Sequence, residues 1–137
     1  MKRSRTVLES KRYGVFSCRP ETTLLSAARQ MVREDVSCLI VVDDAGYLAG
    51  ILSRFDLVRA CIESEAWESR LVADLMTAVV VTVSPETTML EVANLLLEKQ
   101  IHRVVAVREE NGRLRPFSVI SASDLIYHML QDAEPAD

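Results

Sequence analysis

Histidine is nearly missing from this chain. Only His102 and His128 occur among 137 residues, so a histidine-rich metal centre cannot be assembled, and no metal site is expected. Cysteine is scarce too. Cys18, Cys38 and Cys61 are an odd number at wide spacing, with no C-x2-C pair, which excludes a disulfide framework, a zinc knuckle and a dithiol redox motif. That usage suits a reducing compartment, and the cytoplasm is the expected location. Four glycines and four prolines are too few for collagen-like or linker sequence. A basic excess is lacking: 16 Lys and Arg stand against 20 Asp and Glu, so nucleic acid is not an expected partner. No apolar run reaches the roughly 18 residues of a membrane helix, so no membrane contact is expected. The start, Met1-Lys2-Arg3-Ser4-Arg5, is basic like the head of a signal peptide, but Thr6 to Arg12 interrupts any apolar stretch after it. Dinucleotide and phosphate glycine loops are lacking as well.

What is present is a core. Apolar residues make up 49% and charged residues 26%, the balance of one folded domain of ordinary size. The chain also repeats itself. Pro20-Glu21-Thr22-Thr23 recurs as Pro85-Glu86-Thr87-Thr88, an offset of 65. Over residues 20–42 and 85–107, seven of 23 positions are identical and eight more exchange one apolar residue for another. After three inserted residues, Ser53-Arg54-Phe55-Asp56-Leu57 lies on Ser121-Ala122-Ser123-Asp124-Leu125. Units of about 60 residues are too long for common solenoids, so a twofold duplication is the better reading.

Each repeat has the same coarse pattern. Leu24, Ala27, Ala28, Met31 and Val32 form a helical stripe, as do Met89, Val92, Ala93, Leu96 and Leu97. Thr22 or Thr23, and Thr87 or Thr88, are candidate N-caps. Cys38–Val42 and Val104–Val107 are unbroken apolar runs, which suit strands covered on both faces. Asp44-Ala45-Gly46 and Glu110-Asn111-Gly112 supply turns. Return strands are expected at 48–52 and 117–120, lead-in strands at 14–17 and 79–83, and short helices after Ser53 and Ser121. Residues 62–77 join the repeats, with helical character around 63–70. The order is β-α-β-β-α, twice. The first unit is set at 1–62, with a flexible segment at 1–12. The connecting helix and second unit take 63–130, and 131–137 form a flexible acidic tail.

These residues resemble a tandem pair of CBS domains, the Bateman module. Asp74-Leu75-Met76-Thr77 is similar to the family's D-h-M-T, and Ile101-His102-Arg103-Val104-Val105-Ala106-Val107 to its I-x-R-h-P-V-V strand. Gly50-Ile51-Leu52-Ser53-Arg54-Phe55-Asp56 resembles its closing G-h-h-S-x-x-D. The likeness runs over residues 13–130. The second repeat departs from it, with Phe117-Ser118 where the glycine belongs and a longer, charged hairpin from Arg108 to Arg115. The resemblance implies a mixed α/β (α+β) fold, with two pseudo-symmetric units packed through their sheets around a shared cleft. It also implies a homodimer built through helices, and an effector protein acting in trans.

The repeated S-x-x-D carries the chemistry. By itself it reads as a helix capping box. A helix N-terminus also attracts phosphate through its free N–H groups, a serine hydroxyl can donate to a phosphate oxygen, and an ionised carboxylate can accept from both hydroxyls of a ribose. The resemblance implies an adenosyl ligand, with AMP, ADP or ATP the leading choice and no required cofactor. Asp124 and Asp56 would hold ribose. Ser121, Ser123, Arg103 and His102 in the second unit, and Ser53 and Arg54 in the first, would hold phosphate. Tyr13, Gly14 and Val15 would line adenine beside Asp124, and Val79, Val80 and Val81 beside Asp56. The Asp124 site ranks first, because Ser37-Cys38 replaces His102-Arg103 in the first unit. S-adenosylmethionine or NAD(H) is the alternative ligand, and a ligand-free scaffold the alternative role. No nucleophile, base and orienting group stand together as catalysis requires, so an enzyme is not expected. His128 is expected to be exposed or half-buried on the last helix. Cys38 and Cys61 are expected at small core positions, and Trp67 at a packing surface.

Overall fold

The computed structural model describes residues 2–10 and 14–133. Its first repeat contains β1 (Ser17–Cys18), α1 (Leu24–Glu34), β2 (Cys38–Val42), β3 (Leu48–Ser53) and α2 (Arg54–Glu63). A short helix, α3 (Val72–Leu75), follows in the connection. The second repeat contains β4 (Thr82–Val83), α4 (Met89–Lys99), β5 (Arg103–Glu110), β6 (Arg113–Ser121) and α5 (Ala122–Ala133). Each repeat is therefore β-α-β-β-α. Two three-stranded sheets result, ordered β1-β2-β3 and β4-β5-β6. In each, the lead-in strand runs parallel to the middle strand.

The helices begin and end where local chemistry dictates. Thr23 and Thr88 are the N-caps of α1 and α4, and their hydroxyls accept from the N–H groups of Ser26 and Glu91. Thr22 and Thr87 instead accept from Arg19 and Ser84 at 3.1 and 3.0 Å, which tightens the turn before each helix. Both helices end on a left-handed residue, Asp35 and Gln100, each at φ 52°. The stripes pack as the spacing requires: Leu24, Ala27 and Met31 are buried in α1, and Met89, Val92 and Leu96 in α4. Leu39, Ile40 and Val41 are all at most 1% exposed, as an unbroken apolar strand predicts.

The chain divides into two compact units that do not follow chain order. One joins residues 2–10 and 14 to 81–109 and 117–133; it carries Asp124. The other joins 15–80 to 110–116 and carries Asp56. In the Asp124 unit, Val7, Val83, Met89, Val92, Val104, Ala106 and Ile120 form the core. In the Asp56 unit the core comprises Cys18, Leu24, Ala27, Met31, Leu39, Val41, Leu52, Ala60 and Val72.

Each unit is closed by a clamp borrowed from outside its own repeat. In the Asp56 unit, Leu24 N–H donates to Arg70 O at 2.8 Å, Val72 N–H to Thr22 O at 2.8 Å and Ala73 N–H to Pro20 O at 2.9 Å. In the Asp124 unit, Met89 N–H donates to Arg5 O at 2.7 Å, Val7 N–H to Thr87 O at 2.7 Å and Leu8 N–H to Pro85 O at 3.1 Å. All three pairs are related by the offset of 65. The repeat thus begins at Arg5 and Arg70, well before the P-E-T-T match.

Several expectations change. The lead-in strands are only two residues long and start at Ser17 and Thr82 rather than at 14 and 79, because pairing with β2 and β5 begins there. The connection is helical over 63–70 only in part. Glu63 ends α2, Ser64 is extended at φ −154°, and a 3-10 turn covers Trp67–Ser69, which lets half-buried Trp67 reach the core. Cys61 is exposed, not in the core, since it lies on the outer face of α2. His128 is buried at 5% exposure rather than exposed or half-buried. Its Nδ1 lies 3.0 Å from the Arg5 guanidinium, which the N-terminal segment carries onto α5. The same segment brings Lys2 N–H to Asp132 at 2.5 Å, and α5 continues to Ala133. Among the described residues, no helix is long and apolar enough to cross a membrane.

Candidate functional site

Two capping boxes stand at equivalent places. Ser53 ends β3 and caps α2; Ser121 ends β6 and precedes α5. In the first box, Asp56 Oδ2 accepts from Ser53 N–H at 2.7 Å and from Ser53 Oγ at 3.1 Å. In the second, Asp124 Oδ2 accepts from Ser121 N–H at 2.8 Å and from Ser121 Oγ at 3.1 Å. Both aspartates are buried, at 6% and 7% exposure. A buried carboxylate requires such donors, because desolvation otherwise disfavours its charge.

A further hydrogen bond sets the start of each helix against a strand. Arg54 N–H donates to Ser37 O at 3.1 Å, and Ala122 N–H donates to His102 O at 3.0 Å. Residue 37 or 102 therefore touches the helix start through its backbone. His102 itself is exposed and precedes β5. Arg103 opens β5 and is half-buried, and Ser123 is exposed in the first turn of α5. Arg54 is exposed, with Asp35 at 3.9 Å.

The apolar lining residues divide unevenly. Gly14 belongs to the Asp124 unit, where its N–H donates to Phe117 O at 2.8 Å. Val81 is in that unit too, accepting from Val105 N–H at 3.1 Å. Val15, Val79 and Val80 are grouped with Asp56. Val79 is 88% exposed. Tyr13 lies outside the described residues.

One difference between the boxes is not legible from the S-x-x-D motif. Arg59 NH1 donates to Asp56 Oδ1 at 3.1 Å. At the equivalent position, offset by 68, stands Tyr127, which accepts from Gln131. The signal was available as an i, i+3 acid–base pair, a spacing that brings side chains together on a helix. Among the described residues, no group of histidine, cysteine, aspartate and glutamate is arranged to hold a metal ion.

This duplicated β-α-β-β-α pattern, with a capped helix closing each repeat, defines a tandem-repeat α/β fold. The family model described as the CBS domain matches residues 11–63 and 72–131, and the chain belongs to that family. Inosine-5'-monophosphate dehydrogenase of Halobacterium salinarum is 35% identical over 99 residues, 72% of this chain and 19% of the dehydrogenase. The gamma-3 subunit of 5'-AMP-activated protein kinase of Sus scrofa is 40% identical over 53 residues, 39% of this chain and 10% of the subunit. This chain thus spans only a small part of both relatives. Among solved structures, an uncharacterized conserved protein from Pyrococcus horikoshii superposes with a TM-score of 0.82 at 24% identity, covering 99% of this chain and all of that one. CBSX2 in complex with AMP gives a TM-score of 0.79 at 25% identity, covering 94% and 98%.

Proposed function

We propose that this CBS pair is a non-catalytic regulatory module that binds an adenine ribonucleotide, AMP, ADP or ATP, at the start of α5. The observation that carries the proposal is Asp124. A carboxylate held at 7% exposure beside Ser121, at the N-terminus of a 12-residue helix, joins a ribose acceptor to a phosphate-attracting dipole. Ser121, Ser123, His102 and Arg103 are the phosphate contacts of this reading, and Tyr13 and Gly14 its adenine contacts. The likeness to CBSX2, solved with AMP, supports it. Ligand binding would act by shifting a conformational or assembly equilibrium toward the state that binds better. The output is then an effector protein in trans, and the working compartment the cytoplasm.

A homodimer is part of the proposal. Phe55, Val58 and Ile62 on α2, and Ile126, Met129 and Leu130 on α5, are all more than half exposed. Apolar stripes of that kind usually mark an interaction surface. Sedimentation at micromolar concentration is expected to show twice the 15.3 kDa chain mass; a single 15.3 kDa species would contradict it.

The ligand reading is tested by calorimetric titration. Asp124→Ala is expected to weaken AMP, ADP, ATP and adenosine alike by roughly 10- to 100-fold, the range of hydrogen bonds to a charged group. Arg103→Ala should weaken the three phosphates and leave adenosine nearly unchanged. S-adenosylmethionine and NADH, which share the ribose, serve as competing ligands in the same titration. The scaffold reading has its own support, since both aspartates already serve as helix caps. It prevails if wild type binds none of these ligands and Asp124→Ala only lowers the melting temperature.

A further inference from the structure

The two repeats carry the same Ser-Asp box, yet the two carboxylates have different surroundings. A carboxylate offers about four lone-pair positions. Asp56 Oδ2 already accepts from Ser53 N–H and Ser53 Oγ, at 2.7 and 3.1 Å. Arg59 NH1 takes one position on Oδ1, at 3.1 Å. One position remains, and a ribose diol needs two. The Asp56 side chain is 8% exposed, while that of Arg59 is 57% exposed. The acceptor is thus fixed in the protein, and its occupant is an arm anchored one turn further along α2. Tyr127, at the equivalent place in α5, carries no charge that could do the same to Asp124.

We propose that Arg59 is a specificity-determining residue that occupies the Asp56 oxygen a ribose diol would need, and so weakens nucleotide binding at the Asp56 site. The inference rests on the nucleotide reading of the Ser-Asp box. The guanidinium satisfies the carboxylate oxygen that a ligand would need, so binding at Asp56 must first displace it. Since Arg59 is largely in water, the displacement cost is that of a half-exposed ion pair, and removing the arm is worth about fivefold in affinity. The repeats thus differ at this helix position, Arg59 in one and Tyr127 in the other, outside the S-x-x-D motif.

The test uses the full chain with Asp124→Ala in place, so that only the Asp56 site is read. AMP and 2'-deoxy-AMP are titrated into Asp124→Ala, and into Asp124→Ala combined with Arg59→Met, which keeps an apolar stem of similar length. The expected result is AMP affinity raised about fivefold or more by Arg59→Met, with no gain for 2'-deoxy-AMP, which lacks one of the two hydroxyls. A purely electrostatic or structural role would move both ligands together. Weaker AMP binding after Arg59→Met would mean that Arg59 contacts phosphate, and would overturn the proposal. Equal gains for both ligands, or no binding by the double variant when circular dichroism shows it folded, would also overturn it. Arg59→Lys, which keeps a cation but not the planar fork, gives a second folded comparison and should lie between the two. Wild type with Asp124 intact, titrated in parallel, separates the two readings. AMP binding seen in wild type and lost in Asp124→Ala sustains the Asp124 site even if the Arg59 result is negative.

Discussion

Gly50 has no room for a methyl group. A Cβ there would lie 2.7 Å from Thr77 O and 2.9 Å from Met76 Sδ. Thr77 is held at that distance by two hydrogen bonds with Ile51, of 3.0 and 2.9 Å. Gly50→Ala is therefore expected to cost about 1–3 kcal/mol, the usual range for overpacking, and urea denaturation would measure it. The same place in the second repeat holds Ser118, which is buried at 1% exposure. The glycine is thus a demand of one connection, not of the strand. Cys18 gives a pH-dependent prediction. Burial raises its thiol to about 11, from 9.0 for an unperturbed thiol. The folded chain therefore keeps this proton where the unfolded chain loses it, so stability falls as pH rises from about 9 toward 11. At pH 8.5, iodoacetamide should modify exposed Cys61 in the native protein and spare Cys18; mass spectrometry of peptides would show equal labelling if burial offered no protection. The site was partly legible at this scale. Both Ser-Asp boxes follow from spacing alone, because a capping box is a contact between residues three apart. The burial of His128 was not, because it depends on Arg5, 123 residues away.

The helices were the most legible elements, since their apolar stripes and threonine caps are written within a dozen residues. Their caps yield a matched pair of predictions. Thr23→Ala and Thr88→Ala should each cost about 1 kcal/mol of stability, by chemical denaturation. Their C-termini predict the opposite sign. Gln100 sits at φ 52°, a conformation that glycine adopts without a Cβ penalty. Gln100→Gly should stabilise the protein by about 0.5–1 kcal/mol after allowing for glycine's larger entropy in the unfolded chain. An unchanged or lowered melting temperature would mean that the Gln100 side chain contributes to the cap. The β5–β6 hairpin was legible in part. Asn111 and Gly112, both at positive φ, form its two-residue turn, as the N-G dipeptide implies. The tip's partners were not legible. Arg113 and Arg115 lie over the Tyr47 ring at 4.2 and 4.5 Å, and Arg113 pairs with Asp43. Asp43 itself accepts from the Tyr47 and Ala45 N–H groups, which with Arg113 hold its carboxyl below the usual range. Contacts between residues 70 apart leave no periodic trace. The connection over 63–70 was legible only in part, for a different reason: its helical composition was overridden by the packing of Trp67.

For the molecule as a whole, the duplication was legible in the sequence, and the backbone clamps that precede each P-E-T-T were not. Thr6 and Leu71 differ in kind, yet the backbone bonds they flank are the same at both places; Glu9 and Asp74 accept from the N–H groups of Thr6 and Leu71 alike. Arg5 and Arg70, and Val7 and Val72, are identical pairs at the offset of 65, and both valines are fully buried. Val7→Ala and Val72→Ala should each remove about 2 kcal/mol, the order expected for deleting two buried carbons and leaving a cavity. Double-wavelength thermal melts would show whether each loss lowers the whole transition.

The borrowed clamps also set a schedule for synthesis. Val72 leaves the ribosome only about 50 residues after Thr22, so the Asp56 unit can close its clamp soon after its own helices emerge. Val7, by contrast, precedes its acceptor, Thr87, by roughly 80 residues. At typical elongation rates of about 5–20 residues per second, the N-terminal segment waits several seconds or more, with its valine exposed, before α4 exists to receive it. The segment made earlier is the one that must wait for its partner.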